Sequence, residues 1–263
     1  LRTGLSNWKL HALIQLTTFL GFPLLVMGLV SFFPGLDPSF ALGISYLGAL
    51  PSTVSASVVL VSIAGGNVAA AIFNASISSL FGVVLTPLWM NLAGGEVAGE
   101  LDLWASILDL SFKVVLPVLL GLFLHRSLFP KIRPYLNRLK YLDQTVILSI
   151  VFTTFSESFS QKLFSSFSWL SLGGLALFML CILLLVFGIL FILVRLLSFS
   201  PEDQIAALFC GSTKSLVHGV AMGKVLFPSS AILGLVLLPV MLYHLQQLIL
   251  GSILAKYFEK KKP

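Results

Sequence analysis

The 263-residue sequence predicts an all-α, polytopic membrane protein. Three observations carry that expectation. Charged residues make up only 10% of the chain, where a soluble domain carries roughly 25%. The mean hydropathy is +1.03. Apolar runs near or above the ~20 residues that cross a bilayer as a helix recur along the chain. The same numbers exclude a soluble nucleic-acid-binding domain, because the net charge of +6 sits at the ends of the runs rather than in a patch.

About eight spans are expected, at residues 10–32, 40–63, 67–90, 106–125, 143–161, 170–195, 203–226 and 229–255. The first follows almost at once on LRTGLSNWKLHALIQL, and no signal peptide is visible. Turn-forming stretches part the others: FFPGLDPSF after the first, NLAGGEVAGELDL after the third, HRSLFPKIRPYLNRLKYLDQ after the fourth. FSESFSQKLFSSFSWLSLGG reads as an outer loop with interfacial aromatics. Cys181 and Cys210 read as small buried hydrophobes.

Charge gives the orientation. With the start of the chain inside, the inner segments hold Arg2, Lys9, Arg126, Lys131, Arg133, Arg138, Lys140, Arg195, Lys256, Lys260, Lys261 and Lys262. The outer loops hold Lys162 alone among bases, with Asp37, Glu96, Glu100 and Asp102. This is the positive-inside pattern, with the C-terminus cytoplasmic. A bacterial inner membrane fits it, as does a chloroplast envelope with the stroma as the inside.

Two spans are interrupted. The second contains ALPSTVSASVV and the seventh FCGSTKSLVHG, each with a helix breaker, Pro51 or Gly211, before a hydroxyl cluster. Pro51-Ser52-Thr53-Val54-Ser55 aligns with Gly211-Ser212-Thr213-Lys214-Ser215 at three of five positions. The two spans are five apart, so the second copy runs in the opposite direction. An inverted-topology repeat of five helices per half would do this. It would total ten spans, placing two before Leu1.

A broken helix is tolerated in a bilayer where it lines a cavity or is buried in protein, because its free amides need partners. Ser52, Thr53, Ser55, Ser57, Ser212, Thr213 and Ser215 are therefore candidate solute and ion ligands. Plain packing and bonding to helix carbonyls compete for each. Lys214 is the sharpest candidate, since a mid-helix lysine costs at least ~2.5 kcal/mol to insert. The structural alternative is an ion pair with Glu157 or Asp109, and Asp109 already has Lys113 one turn away. On the third span Asn67 is a candidate cap, and Asn74, Ser76, Ser78 and Ser79 are candidate site residues. His11, His125, His218 and His244 lack metal spacing. The YHLQQ run carrying His244, Gln246 and Gln247 reads as a hydrogen-bonded interior cluster. No nucleotide loop or nucleophile motif is present. No enzyme and no cofactor are expected, and Na⁺ or H⁺ are the candidate coupling ions.

The blocks ALPSTVSASVVLVSIAGGNVAAAIFNASISSLFGVVLTP, ALFCGSTKSLVHGVAMGKVLFP and LPVMLYHLQQLI carry a resemblance. Nearly the whole chain resembles the bile acid:sodium symporter superfamily, most closely its SBF-like branch related to sodium/bile acid cotransporter 7. The resemblance implies ten helices in two inverted repeats, with two broken core helices crossing at the site. The spans here would be family helices three to ten. One transporter domain, 1–263, would comprise a core (1–90 and 170–255) and a panel (106–161). Sodium-coupled members carry a glutamate and a Gln-Asn pair in the second broken helix, where this chain has Cys210 to Ser215 and no acid. The Asn of the first broken helix has no counterpart; Ser55 or Ser57 lies nearest. Ser76, Ser78 and Ser79 match hydroxyl positions around the family's sodium site.

The resulting expectation is alternating-access transport of a small anionic organic solute. The Lys214 ammonium would stand where a coupling Na⁺ stands in relatives, either titrating with protons or remaining charged. The expected partners are the solute and the lipid bilayer, with no nucleic acid. The alternative is a non-transporting membrane regulator of calcium homeostasis.

Overall fold

The structure is a computed structural model describing residues 7–93, 102–135, 167–227 and 229–260, with 138, 141, 145, 149, 152, 153, 156, 159 and 160. Glu96, Glu100, Glu157, Lys162 and much of the fifth span lie outside the described residues.

Among the described residues every regular element is a helix. The first span is one rod, α1 (Trp8–Leu16) and α2 (Phe22–Phe32), joined by a π-helical turn over Thr17–Gly21. The second is broken into α3 (Pro38–Ala49) and α4 (Ser55–Ala64). Then come α5 (Val68–Ala93), α6 (Leu103–Leu110), a second π-helical turn over Ser111–Val115, and α7 (Leu116–Ile132). After α8 (Trp169–Leu196) the seventh span is broken into α9 (Pro201–Ser212) and α10 (Leu216–Leu226), and α11 (Ser230–Lys260) closes the chain. Among the described residues five stretches are long and apolar enough to cross a membrane: Trp8–Phe32, Val68–Ala93, Trp169–Leu196, Pro201–Leu226 and Ile232–Lys260. The chain is an all-α polytopic membrane protein.

The four broken-helix pieces sit in the middle. α11 packs along α3, α4, α8 and α10, and α9 packs against α1, α4, α5 and α8. Buried Tyr46, Leu47, Leu50, Phe209, Leu237 and Tyr243 form the core around the breaks. Outward-facing Leu20, Leu24, Leu177, Ile192, Leu245 and Ile253 give an apolar exterior, which is the face a bilayer requires. Cys210 is buried, but Cys181 is exposed on that exterior. The expectation of burial fails there because a lipid-facing position asks only for an apolar side chain.

Local chemistry explains the tight turn after α4. Gly65 ends the helix with φ 74°, a left-handed conformation that only glycine adopts cheaply. A Cβ on Gly66 would lie 2.5 Å from Ile205 Cγ2, so the loop touches α9 directly. Asn67 caps α5 by accepting from Ala70 N (3.0 Å) and donates to Asp203 Oδ1 (2.8 Å).

Candidate functional site at the crossing of the broken helices

The first break runs from Leu50 to Val54 and the second from Thr213 to Ser215. They touch directly. Ser215 N donates to Pro51 O (3.0 Å). Ser52 Oγ donates to Cys210 O (2.7 Å) and lies 3.2 Å from Thr213 Oγ1.

The breaker assignment holds at only one of the two. Pro51 lies within the first break, but Gly211 lies inside α9, one residue before its end. A Cβ at Gly211 would come 3.0 Å from Leu190 Cδ1, so this glycine serves close packing of α9 on α8. The second helix stops where Thr213 turns to extended backbone.

A half-helix ends with carbonyls that lack intrahelical donors. At and just past the end of α3 four carbonyls find partners from elsewhere in the fold. Ala49 O accepts from Thr86 Oγ1 (2.8 Å) and Pro51 O from Ser215 N (3.0 Å). Gly48 O and Leu50 O accept from Lys214 Nζ at 2.7 and 2.8 Å. A third carbonyl, Thr18 O, accepts from the same nitrogen at 2.9 Å. It is free because the π-helical turn sends Phe22 N to Thr17 O instead. Pro23 likewise offers no N–H to Phe19 O, which accepts from Trp89 Nε1 (2.7 Å).

Lys214 is fully buried. Three carbonyl acceptors around one Nζ require three protons, so the geometry is that of an ammonium. It sits 4.2 Å from the centre of the Phe22 ring, where the π face adds further attraction. Both main-chain groups of Lys214 are held as well. Its N donates to Gln247 Oε1 (2.8 Å) and its O accepts from Gln247 Nε2 (2.8 Å). The expected alternative, an ion pair, is not formed among the described residues. Asp109 pairs instead with Lys113 at 2.6 Å. Carbonyls suffice because three charge-assisted hydrogen bonds at roughly 1.5–3 kcal/mol each outweigh an insertion cost of about 2.5–3.5 kcal/mol.

The hydroxyls are mostly committed to helix backbone. Ser212 Oγ donates to Leu208 O (2.6 Å) and Thr213 Oγ1 to Phe209 O (2.8 Å). Ser76 and Ser79 bond the carbonyls of Ile72 (2.9 Å) and Ala75 (3.0 Å), and Ser57 bonds that of Thr53. Ser78 Oγ accepts from Ser52 N (2.9 Å). Asn74 Nδ2 donates to Ala70 O (2.9 Å) and contacts His11 Nδ1 (2.8 Å), while its Oδ1 accepts from Gln15 Nε2 (3.1 Å). Asn74 is thus occupied by protein. Ser52, Thr53, Ser212, Thr213, Lys214 and Ser215 come together at the crossing and are buried. Ser76 lies exposed on α5, away from it, and Ser55 opens outward at the start of α4. Among the described residues no cluster of His, Cys, Asp and Glu could hold a metal ion.

The two half-helix starts differ. Ser215 caps α10, accepting from His218 N. At α4 the N-cap position is Val54, 41% exposed and without a side-chain cap. Residue typing missed the main-chain ligands Thr18, Gly48 and Leu50. It also missed Tyr46 and Tyr243, which donate to Gly219 O (2.6 Å) and Ser212 O (2.7 Å). The run YHLQQ was the readable signal for Gln247.

Residues 1–260 match the SBF-like CPA transporter family. The chain belongs to that family. An uncharacterized protein of Pseudomonas aeruginosa is 41% identical over 263 residues, covering 98% of this chain and 78% of the relative. The YfeH protein of Escherichia coli is 36% identical over 267 residues (98% and 77%). Sodium/bile acid cotransporter 7 of Xenopus tropicalis is 32% identical over 264 residues (97% and 75%). The chain is therefore a membrane transporter of the bile acid:sodium symporter type, and its family is one of transporters rather than enzymes.

Proposed function

We propose that this transporter moves a small anionic organic solute by alternating access and needs no sodium, because the Lys214 ammonium fills the place of the coupling cation. The single observation carrying this reading is the carbonyl cage. Thr18 O, Gly48 O and Leu50 O converge on Nζ within 2.7–2.9 Å, as oxygens converge on a bound cation. Gly48 and Leu50 lie at the C-terminal end of α3, the negative end of its dipole. The preference for an anion follows from the fixed positive charge and from the two half-helix starts at the crossing.

The helices at the crossing form the core in this reading, and α6, α7 and the fifth span form the panel that rocks against it. The five-plus-five inverted repeat accounts for the paired breaks. The bacterial relatives and the basic inner loops favour a bacterial inner membrane with the C-terminus in the cytoplasm.

Thermal unfolding in Na⁺ against matched K⁺ tests the reading. The wild type is expected to melt alike in both. Lys214→Ala, with the cage emptied, is expected to gain a Na⁺ response; saturation at a hundred times Kd adds about 2.7 kcal/mol. Stabilisation of the wild type by Na⁺ beyond K⁺ overturns it.

A further inference from the structure

A cavity of about 540 Å³ opens at the end of the bundle opposite Lys9, Arg195 and Lys260. It lies between the turn that links α2 to α3 and the first turns of α8. Four phenyl rings line it, those of Phe33, Phe40, Phe167 and Phe178. Phe40 stacks on Phe167 with ring centres 4.4 Å apart, and Phe33 meets Phe178 edge to face at 5.5 Å. The two pairs hold the turn against α8 and fix the wall before any ligand arrives. The volume falls within the roughly 300–1,000 Å³ of small-molecule sites.

One carboxylate stands in that wall. Asp37 caps α3, its Oδ1 accepting from Ser39 N (2.9 Å). Its Oδ2 has no hydrogen-bond or ion-pair partner among the described residues. Capping does not account for these surroundings. A cap needs one oxygen, which Ser or Asn supplies equally well, and has no use for a cavity or an aromatic wall. Two glycines keep the space open: a Cβ on Gly35 or on Gly174 would meet nothing within 4 Å. Gly174 lies inside α8, where glycine weakens a helix.

The wall selects the sign of charge. The faces of phenyl rings are electronegative, and a carboxylate beside them repels anions. Both attract a cation, and a weakly hydrated organic one suits rings best. A bare metal ion needs several oxygen ligands, and the lining side chains offer oxygen only from Asp37 and Ser171.

We propose that this cavity binds an organic ammonium ion, with its cationic head at Asp37 Oδ2 and its carbon body against the four rings. The site is separate from the crossing of the broken helices. Phe40 lies eight residues before Gly48, about 12 Å along α3, and the charge selected is opposite to that of the proposed solute. The assignment stands whether or not Lys214 replaces a sodium ion. Free amines and aminophospholipid headgroups both carry such an ammonium, and a cavity at the end of membrane-spanning helices is open to either.

The test uses the full chain in maltoside micelles, which contain no ammonium. Saturation-transfer NMR follows the methyl protons of choline and of its neutral isostere 3,3-dimethylbutan-1-ol. Choline is expected to bind the wild type saturably, and the isostere about tenfold more weakly or worse. Asp37→Asn keeps a capping side chain on α3 and is expected to weaken choline by about tenfold while leaving the isostere unchanged. Gly174→Leu fills the cavity without altering charge and is expected to abolish both signals. Equal binding of choline and the isostere to the wild type overturns the proposal, and that comparison requires no variant to fold. Absence of saturable choline binding, or its persistence in Asp37→Asn or Gly174→Leu, also overturns it. Phosphatidylethanolamine added to the micelles then separates the sources. Displacement of choline by it, but not by phosphatidylglycerol, assigns the site to a lipid headgroup; displacement by neither assigns it to a free amine.

Discussion

The two breaks share Ser-Thr and a serine two residues on, yet they are completed by opposite kinds of partner. At the first, orphan carbonyls of α3 are satisfied from outside by Lys214, Thr86 and Ser215. At the second, the carbonyls of Leu208 and Phe209 accept from Ser212 and Thr213 of the same segment, and those of Cys210 and Ser212 accept from Ser52 and Tyr243. One break is an acceptor and the other supplies the cation. The same short motif serves both because a hydroxyl can close a helix end locally, while the residue between the hydroxyls decides the charge. Val54 occupies that position in the first copy and Lys214 in the second.

The largest expected effect separates the two directly. Lys214→Ala leaves three carbonyls without a donor, at roughly 1–3 kcal/mol for each unsatisfied group. A loss of about 3–5 kcal/mol is expected, read from thermal unfolding in potassium buffer. An unchanged melting curve would show that the cage does not join the breaks. Gln247→Leu comes next, at about 2–4 kcal/mol, since it frees both main-chain groups of Lys214. Its mark is faster amide exchange at 213–216 with 50–55 unaffected. Equal acceleration at both breaks would mean that they open as one unit.

A pair of glycines sharpens the contrast. A Cβ on Gly82 would meet the Pro51 ring at 2.9 Å, while one on Gly211 would meet the movable Leu190 side chain at 3.0 Å. Gly82→Ala is expected to cost about 1–3 kcal/mol, and Gly211→Ala less than ~1 kcal/mol. The reverse order in melting temperature would contradict the rigid first break. The smallest effects lie at the caps. Ser215→Ala is expected to lose about 1 kcal/mol, and Val54→Asp to gain up to ~1 kcal/mol by capping α4. Val54→Asp also sets a negative charge where the solute is proposed to approach. Tighter solute binding in that variant would argue against an anionic solute.

Much of this was legible in the residues. Among the described residues hydropathy set most helix ends to within a few positions, because a bilayer-spanning helix needs a long apolar run whatever its neighbours, but α7 runs on to Ile132 and α11 to Lys260, past the expected ends at 125 and 255. Pro51 marked the first break. Asn67 was readable as a cap, since that role is local. Gly211 misled, because a glycine beside hydroxyls looks alike whether it ends a helix or admits a neighbour. The hydroxyl clusters were legible as clusters but not in their bonding, since a serine four residues past a carbonyl can turn to it or away.

The sequence by itself determined an all-helical membrane chain with two interrupted spans and one lysine that cannot reach water. Those facts follow from the costs of burying amides and charge, which depend on residue type and spacing alone. Only the tertiary structure decided what the lysine touches. Its ligands are main-chain oxygens of Thr18, Gly48 and Leu50, and every residue has such an oxygen. Which carbonyls are free depends on where helices bend and end, and which free ones converge depends on how the helices cross.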